Sequence, residues 1–99
     1  MYIVLLKFDF NKSKAPQLMG AHNEWIKNGF EDGHFILVGS LKPGLGGAIL
    51  VQNISREDLE ERISADPFVA ENVVKAEILE VEPSKVVPSL EFLVGSSKT

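Results

Sequence analysis

Two imidazoles, His22 and His34, are the side chains of this 99-residue chain best suited to move a proton near neutral pH. His22 lies four residues after Leu18, three before Trp25 and four before Ile26, a spacing that puts it on the apolar stripe of a helix. On such a face an imidazole is either a packed core histidine bonded to a backbone carbonyl or a half-buried proton carrier. The second role needs a partner that fixes the tautomer and holds the ring. Asp66 is the candidate, because this aspartate sits in an apolar setting between Ala65 and Pro67-Phe68. The same position fits a helix N-cap, with Pro67 at the first helical residue. The two readings are compatible, since one carboxylate oxygen can cap while the other receives an imidazole N–H. Ser40, after Gly39 at the end of a β-rich run, offers a hydroxyl to a substrate oxygen; a strand-end bulge accounts for the same residues.

The remaining chemistry is sparse. Gly44-Leu45-Gly46-Gly47 has the glycines of a phosphate-cradling loop, but those loops open a helix, whereas this run opens a strand and reads as a hairpin turn. His34 follows Asp32-Gly33 and is expected to face solvent. Two histidines without helical or hairpin pairing predict no metal site, and nothing in the chain predicts a cofactor. There is no cysteine, hence no disulfide, thiolate nucleophile or cysteine-based zinc site, and a cytoplasmic setting is the expectation. Ten Lys plus Arg stand against fourteen Asp plus Glu, a formal charge of −4, which argues against a nucleic-acid partner. No run approaches the ~20 apolar residues of a bilayer span, and the start of the chain lacks the pattern of a secretory leader.

The elements that must position these groups follow from the hydrophobic pattern. Tyr2 to Phe10 alternates, with Tyr2, Val4, Leu6, Phe8 and Phe10 on one face, and predicts a first strand whose other face is also largely apolar. Pro16 fits the first turn of a helix carrying Leu18, His22, Trp25, Ile26 and Phe30, with Gly29 and Asp32-Gly33 as stop signals. His34 to Leu41 and Ala48 to Asn53 form a hairpin across the Lys42 to Gly47 turn. Ser55 caps a second helix with Leu59 and Ile63 inward, and Asp66-Pro67-Phe68-Val69 interrupts it. Val73 to Val81 is the fourth strand. Val86-Val87 and Leu90 to Val94, divided by Pro88, are expected to add a short edge strand, and 95–99 to fray. The order β-α-β-β-α-β is the ferredoxin-like α+β pattern, with one four-stranded antiparallel sheet. Two helices cover only one sheet face, so a second copy is expected on the other.

His22, Gly29 and Gly33, Val38-Gly39-Ser40-Leu41 leading to Pro43 and Gly44 to Gly47, and Asp66-Pro67-Phe68 before the last strand together resemble the YCII-related (YciI-like) family. The resemblance covers about residues 1–85 of a single domain of 1–99, leaving 86–99 as a C-terminal extension. It implies a dimeric α+β barrel, a homodimer in which two sheets pack face to face and which can assemble further. It also implies a cleft with a His-Asp pair proposed as catalytic, onto which His22 and Asp66 map, with Ser40 beside it. The activity implied is cofactor-free lyase or isomerase chemistry, of the dehydrochlorinase or muconolactone-isomerase kind, on a small aromatic or lactone-like molecule. The alternative is a dimeric small-molecule-binding or accessory protein in which the pair is structural. Met19 departs from the pattern, since many relatives carry an arginine there, and this weakens the case for an anionic substrate.

Overall fold

The computed structural model describes residues 1–94. Four strands, β1 (Tyr2–Phe8), β2 (Phe35–Leu41), β3 (Gly46–Val51) and β4 (Val74–Glu80), form one sheet in the order β2-β3-β1-β4. Every neighbouring pair is antiparallel. Helices α1 (Ala15–Glu31), α2 (Arg56–Ser64) and the single turn α3 (Pro67–Ala70) complete the ferredoxin-like α+β architecture.

Alternation along β1 sorts its two faces as the pattern predicts. Tyr2, Val4 and Leu6 are buried together with Ile49, Val51, Leu59, Ile63, Phe68 and Val73. Ile3 and Leu5 point the other way. Leu37, Leu50, Ile3 and Leu79 occupy one register level, an apolar row that crosses all four strands on the face away from the buried core. Phe8 and Phe10 leave the core as the strand ends, and Phe10 is 76% exposed.

The ends of α1 correct one expectation. Gly29 does not stop the helix; it lies buried inside α1, where the ring of Phe35 packs against its bare Cα. The stop is Gly33, at φ +80°, where His34 N–H donates to Gly29 O and Gly33 N–H to Phe30 O. These two bonds close a Schellman motif, which a left-handed glycine permits. Phe30, expected in the core, is 45% exposed and meets Phe35 only edge-on, at 6.2 Å between ring centres.

Ser55 Oγ accepts from Asp58 N–H at 3.1 Å, the cap expected for α2. Asn53 and Asn72, both at positive φ, fix the boundary of β3 and the approach to β4 one to two residues inside the predicted limits. Across β2 and β3 the register shifts between Phe35 and Leu37, a bulge that leaves Ile36 without a partner residue.

No edge strand forms from the described part of the tail. Met1 and Val81 exchange backbone bonds, N–H to O at 3.0 and 2.9 Å, and the pairing ends there. Pro83 and Pro88 lack ladder donors, and Pro88 instead opens two 3-10 turns over Pro88–Leu93, where a missing N–H costs nothing. Val87 and Phe92 stay exposed. The expected fraying of 95–99 lies outside the described residues.

Candidate active site

His22 sits on α1 one turn before Trp25 and Ile26, and Asp66 fills the break between α2 and α3. That break follows from Pro67, which keeps Asp66 extended at φ −64°, ψ 125°, and starts α3 with Asp66 as its cap. Asp66 Oδ1 accepts from Phe68 N–H at 3.1 Å. The same oxygen lies 2.7 Å from His22 Nδ1, so the chain joins these two residues across 44 positions of sequence. The expected division of labour between the two oxygens does not hold. Oδ1 takes both bonds, while Oδ2 is buried with no partner among the described residues. With an ionised carboxylate the imidazole must donate from Nδ1, which leaves the lone pair of the neutral ring on Nε2. Nε2 has no hydrogen-bond partner among the described residues.

Packing fixes the ring a second time. Phe68 stacks on it at 3.9 Å with the planes 2° apart, and Trp25 lies near it at 5.9 Å and 22°. Trp25 is itself held by donation from Nε1 to Arg62 O at 2.9 Å, which ties α1 to the end of α2. The Asp66 side chain is fully buried, and the His22 side chain is 12% exposed. The imidazole is therefore oriented before any ligand arrives, and one edge remains reachable.

That edge lines a cavity of about 370 Å³, bounded by α1, the sheet and Phe68. Met19, Asn23 and Ile26 of α1 form one wall; Leu6, Val38 and Ile49 belong to the sheet side. Ser40 lines the same cavity, so the structure brings His22 and Ser40 to one hollow with Asp66 behind the ring. Ser40 is exposed there and makes no side-chain bond among the described residues. No Lys, Arg, Asp or Glu lines the hollow. Its polar side chains are His22, Asn23 and Ser40, which suits a mainly apolar ligand positioned by a few polar groups. Sequence reasoning named Phe68 only as part of a motif, read Gly47 as a hairpin-turn residue and passed over Asn23. The signal for Phe68 was present, two residues past the cap.

A larger open groove of about 740 Å³ lies between α1 and α2, lined by Trp25, Asp32, His34, Asp58 and Arg62 among others. Three of its polar side chains already have partners. Arg62 pairs with Asp32, and His34, half-buried rather than solvent-facing as expected, donates from Nδ1 to Gln52 O at 3.2 Å. No group of three or more potential metal-ligating side chains occurs among the described residues. No helix there is long and apolar enough to cross a membrane.

No family model matches the chain, and no curated protein matches it in sequence. A solved structure does. The 5-chloro-2-hydroxyhydroquinone dehydrochlorinase TftG from Burkholderia phenoliruptrix AC1100, in complex with 2,5-dihydroxybenzoquinone, superposes with a TM-score of 0.67 at 11% identity. The match covers 85% of this chain and 96% of that one. At this identity the likeness establishes the fold.

Proposed function

We propose that this protein is a small YciI-like enzyme that uses His22 and Asp66 for acid–base chemistry on a small ring compound, of the lyase or isomerase type. The observation that carries the reading is the 2.7 Å bond between His22 Nδ1 and the fully buried Asp66, on a ring that also lines a mostly apolar cavity. In this mechanism His22 Nε2 takes a proton from a carbon next to a carbonyl. The C–H electron pair moves toward the carbonyl oxygen, which Ser40 Oγ–H meets with a hydrogen bond. The imidazolium, steadied by Asp66, returns the proton to another carbon in an isomerisation. In an elimination a leaving group departs with its electron pair, and the proton passes to solvent. Such acid–base help is worth ~10²–10⁴ in rate. The dehydrochlorinase name and quinone complex of the structural neighbour support a ring-sized ligand. A cytoplasmic setting goes with the cysteine-free composition.

The test begins without a substrate. In ¹⁵N spectra the neutral His22 ring is expected to carry its hydrogen on Nδ1. In D₂O the protein is then expected to speed deuterium entry into a γ-lactone or chloride loss from 5-chloro-2-hydroxyhydroquinone. A hydrogen resident on Nε2 refutes the assignment. The correct tautomer with no reaction across such a panel favours the alternative, a binding protein in which Asp66 serves as cap and buried strut.

The reading also includes a homodimer. Leu37, Leu50, Ile3 and Leu79 form a continuous apolar row on the sheet face opposite the core, with Leu37 50% and Leu79 40% exposed. Burying that row between two sheets removes it from water, the usual reason for a self-complementary interface. Sedimentation of the wild-type chain is expected to give twice the monomer mass, and Leu37→Glu with Leu79→Lys to give the monomer. A wild-type monomer at micromolar concentration removes the dimer from the reading.

A further inference from the structure

Three glycines, Gly39, Gly46 and Gly47, line the sheet side of the His22 cavity, and backbone geometry explains only one of them. Gly46 is at φ +133°, and a side chain there runs into the carbonyl of Leu6. Gly39 pairs with Ala48, which pairs with Leu5, so it belongs to the outer face. Gly47 is different. It sits opposite both Leu6 and Ser40, so a side chain at 47 points to the helix side, into the hollow. Its φ is not in the left-handed region, and a Cβ built on it meets only the carbonyl oxygen of Gly39, at 3.3 Å. Glycine inside a strand weakens it by flexibility and by the packing it forgoes. Backbone conformation does not demand that loss here, and a Cβ would require the Gly39 carbonyl to give by only a few tenths of an ångström. The gain is space in the hollow that His22 also lines.

We infer that Gly47 is the size filter of this site: its missing side chain makes the depth in which a one-ring, uncharged ligand reaches His22. The inference rests on the cavity being the ligand site, as proposed above. An apolar cavity of about 150 Å³ already holds benzene, so about 370 Å³ leaves room for one ring with oxygen substituents. Side chains at 47 fill that depth from the floor.

Phenol is the probe, and the shifts of the Ser40 amide and the His22 ring are the readout. The wild type is expected to give saturable shifts at both. One methylene in an apolar pocket is worth roughly 10–200-fold, so Gly47→Ala is expected to weaken phenol about tenfold and Gly47→Val about a hundredfold. Both variants gain strand propensity but press on the Gly39 carbonyl oxygen at 3.3 Å, so they are expected to melt close to the wild type. Equal phenol affinity in wild type and Gly47→Val overturns the filter, as does absence of saturable shifts in the wild type. If the valine variant fails to fold, the alanine variant decides by the same criterion. The His22 tautomer is read separately in all three proteins, so the proton-transfer reading stands or falls independently of this result.

Discussion

His22→Gln lowers turnover by about 10²–10⁴-fold, on whichever panel compound the wild type transforms, with the unfolding midpoint close to wild type. Glutamine is the informative replacement because its amide can still donate to Asp66 Oδ1, where the imidazole Nδ1 now sits at 2.7 Å. It fills much of the space against Phe68 but cannot take a proton. A rate loss in a folded variant therefore reads proton transfer rather than packing. Asp66 gives the complementary pair. Asp66→Asn keeps an acceptor for Phe68 N–H and for His22, so it retains the cap while losing the charge that steadies an imidazolium. Asp66→Ala leaves both donors unanswered in a buried place, at a cost of about 1–3 kcal/mol in stability. The expected order in rate is wild type, then Asp66→Asn, then His22→Gln; in stability, Asp66→Ala is lowest. If His22→Gln turns over at the wild-type rate, the catalytic assignment is wrong, however well the pair is built.

The second large effect is on folding and concerns two glycines of the same helix. Gly20 has nothing within 4 Å of a built Cβ, so Gly20→Ala is expected to raise stability by up to about 1 kcal/mol through helix propensity and the unfolded state. Gly29→Ala gains the same propensity and still loses. Its new methyl group meets the ring of Phe35, which is 2% exposed and has no free space to swing into. Overpacking of this kind costs about 1–3 kcal/mol. Gly29→Val, with two further methyl groups at the same contact, sits at or beyond the upper end. For a chain of this length that corresponds to a fall in Tm of about 12–24 °C. Thermal melts of the three variants check the opposite signs. A Gly29→Ala protein that melts above wild type would show that α1 lifts freely from the sheet, and the fixed placement of His22 would go with it.

What the sequence made legible is what local chemistry decides. Alternation placed Tyr2, Val4 and Leu6 inward, Ser55 announced its helix, and Pro67 marked the break that delivers Asp66. These are short-range effects, each readable in a few residues. The misreadings share one cause: they depended on what lies across the molecule. Gly29 carries the residue type of a stop, and only the presence of Phe35 on β2 makes it a packing position. Leu90 to Val94 has strand composition, yet Pro83 and Pro88 before it lack ladder donors and 3-10 turns form over Pro88–Leu93. The meeting of His22 with Asp66 was inferred from residue types and a family likeness, while the loading of both bonds on one oxygen was not foreseeable. The stacking of Phe68 on the imidazole likewise required coordinates.

The bulge at Ile36 bears on how distant kin of this chain should be aligned. Phe35 faces the core opposite Val51, and the unpaired residue after it resets the alternation, so that Val38 and Ser40, rather than Leu37 and Gly39, turn toward the helices. Losing Ile36 alone keeps every downstream partner in phase. Losing one residue between Val38 and Ser40 inverts the remainder of the strand and sends the hydroxyl outward. Insertions and deletions among descendants of a common ancestor should therefore collect at position 36 and avoid the four residues after it. A gap placed by residue similarity alone, one step later, will pair the wrong face of this strand with its counterpart.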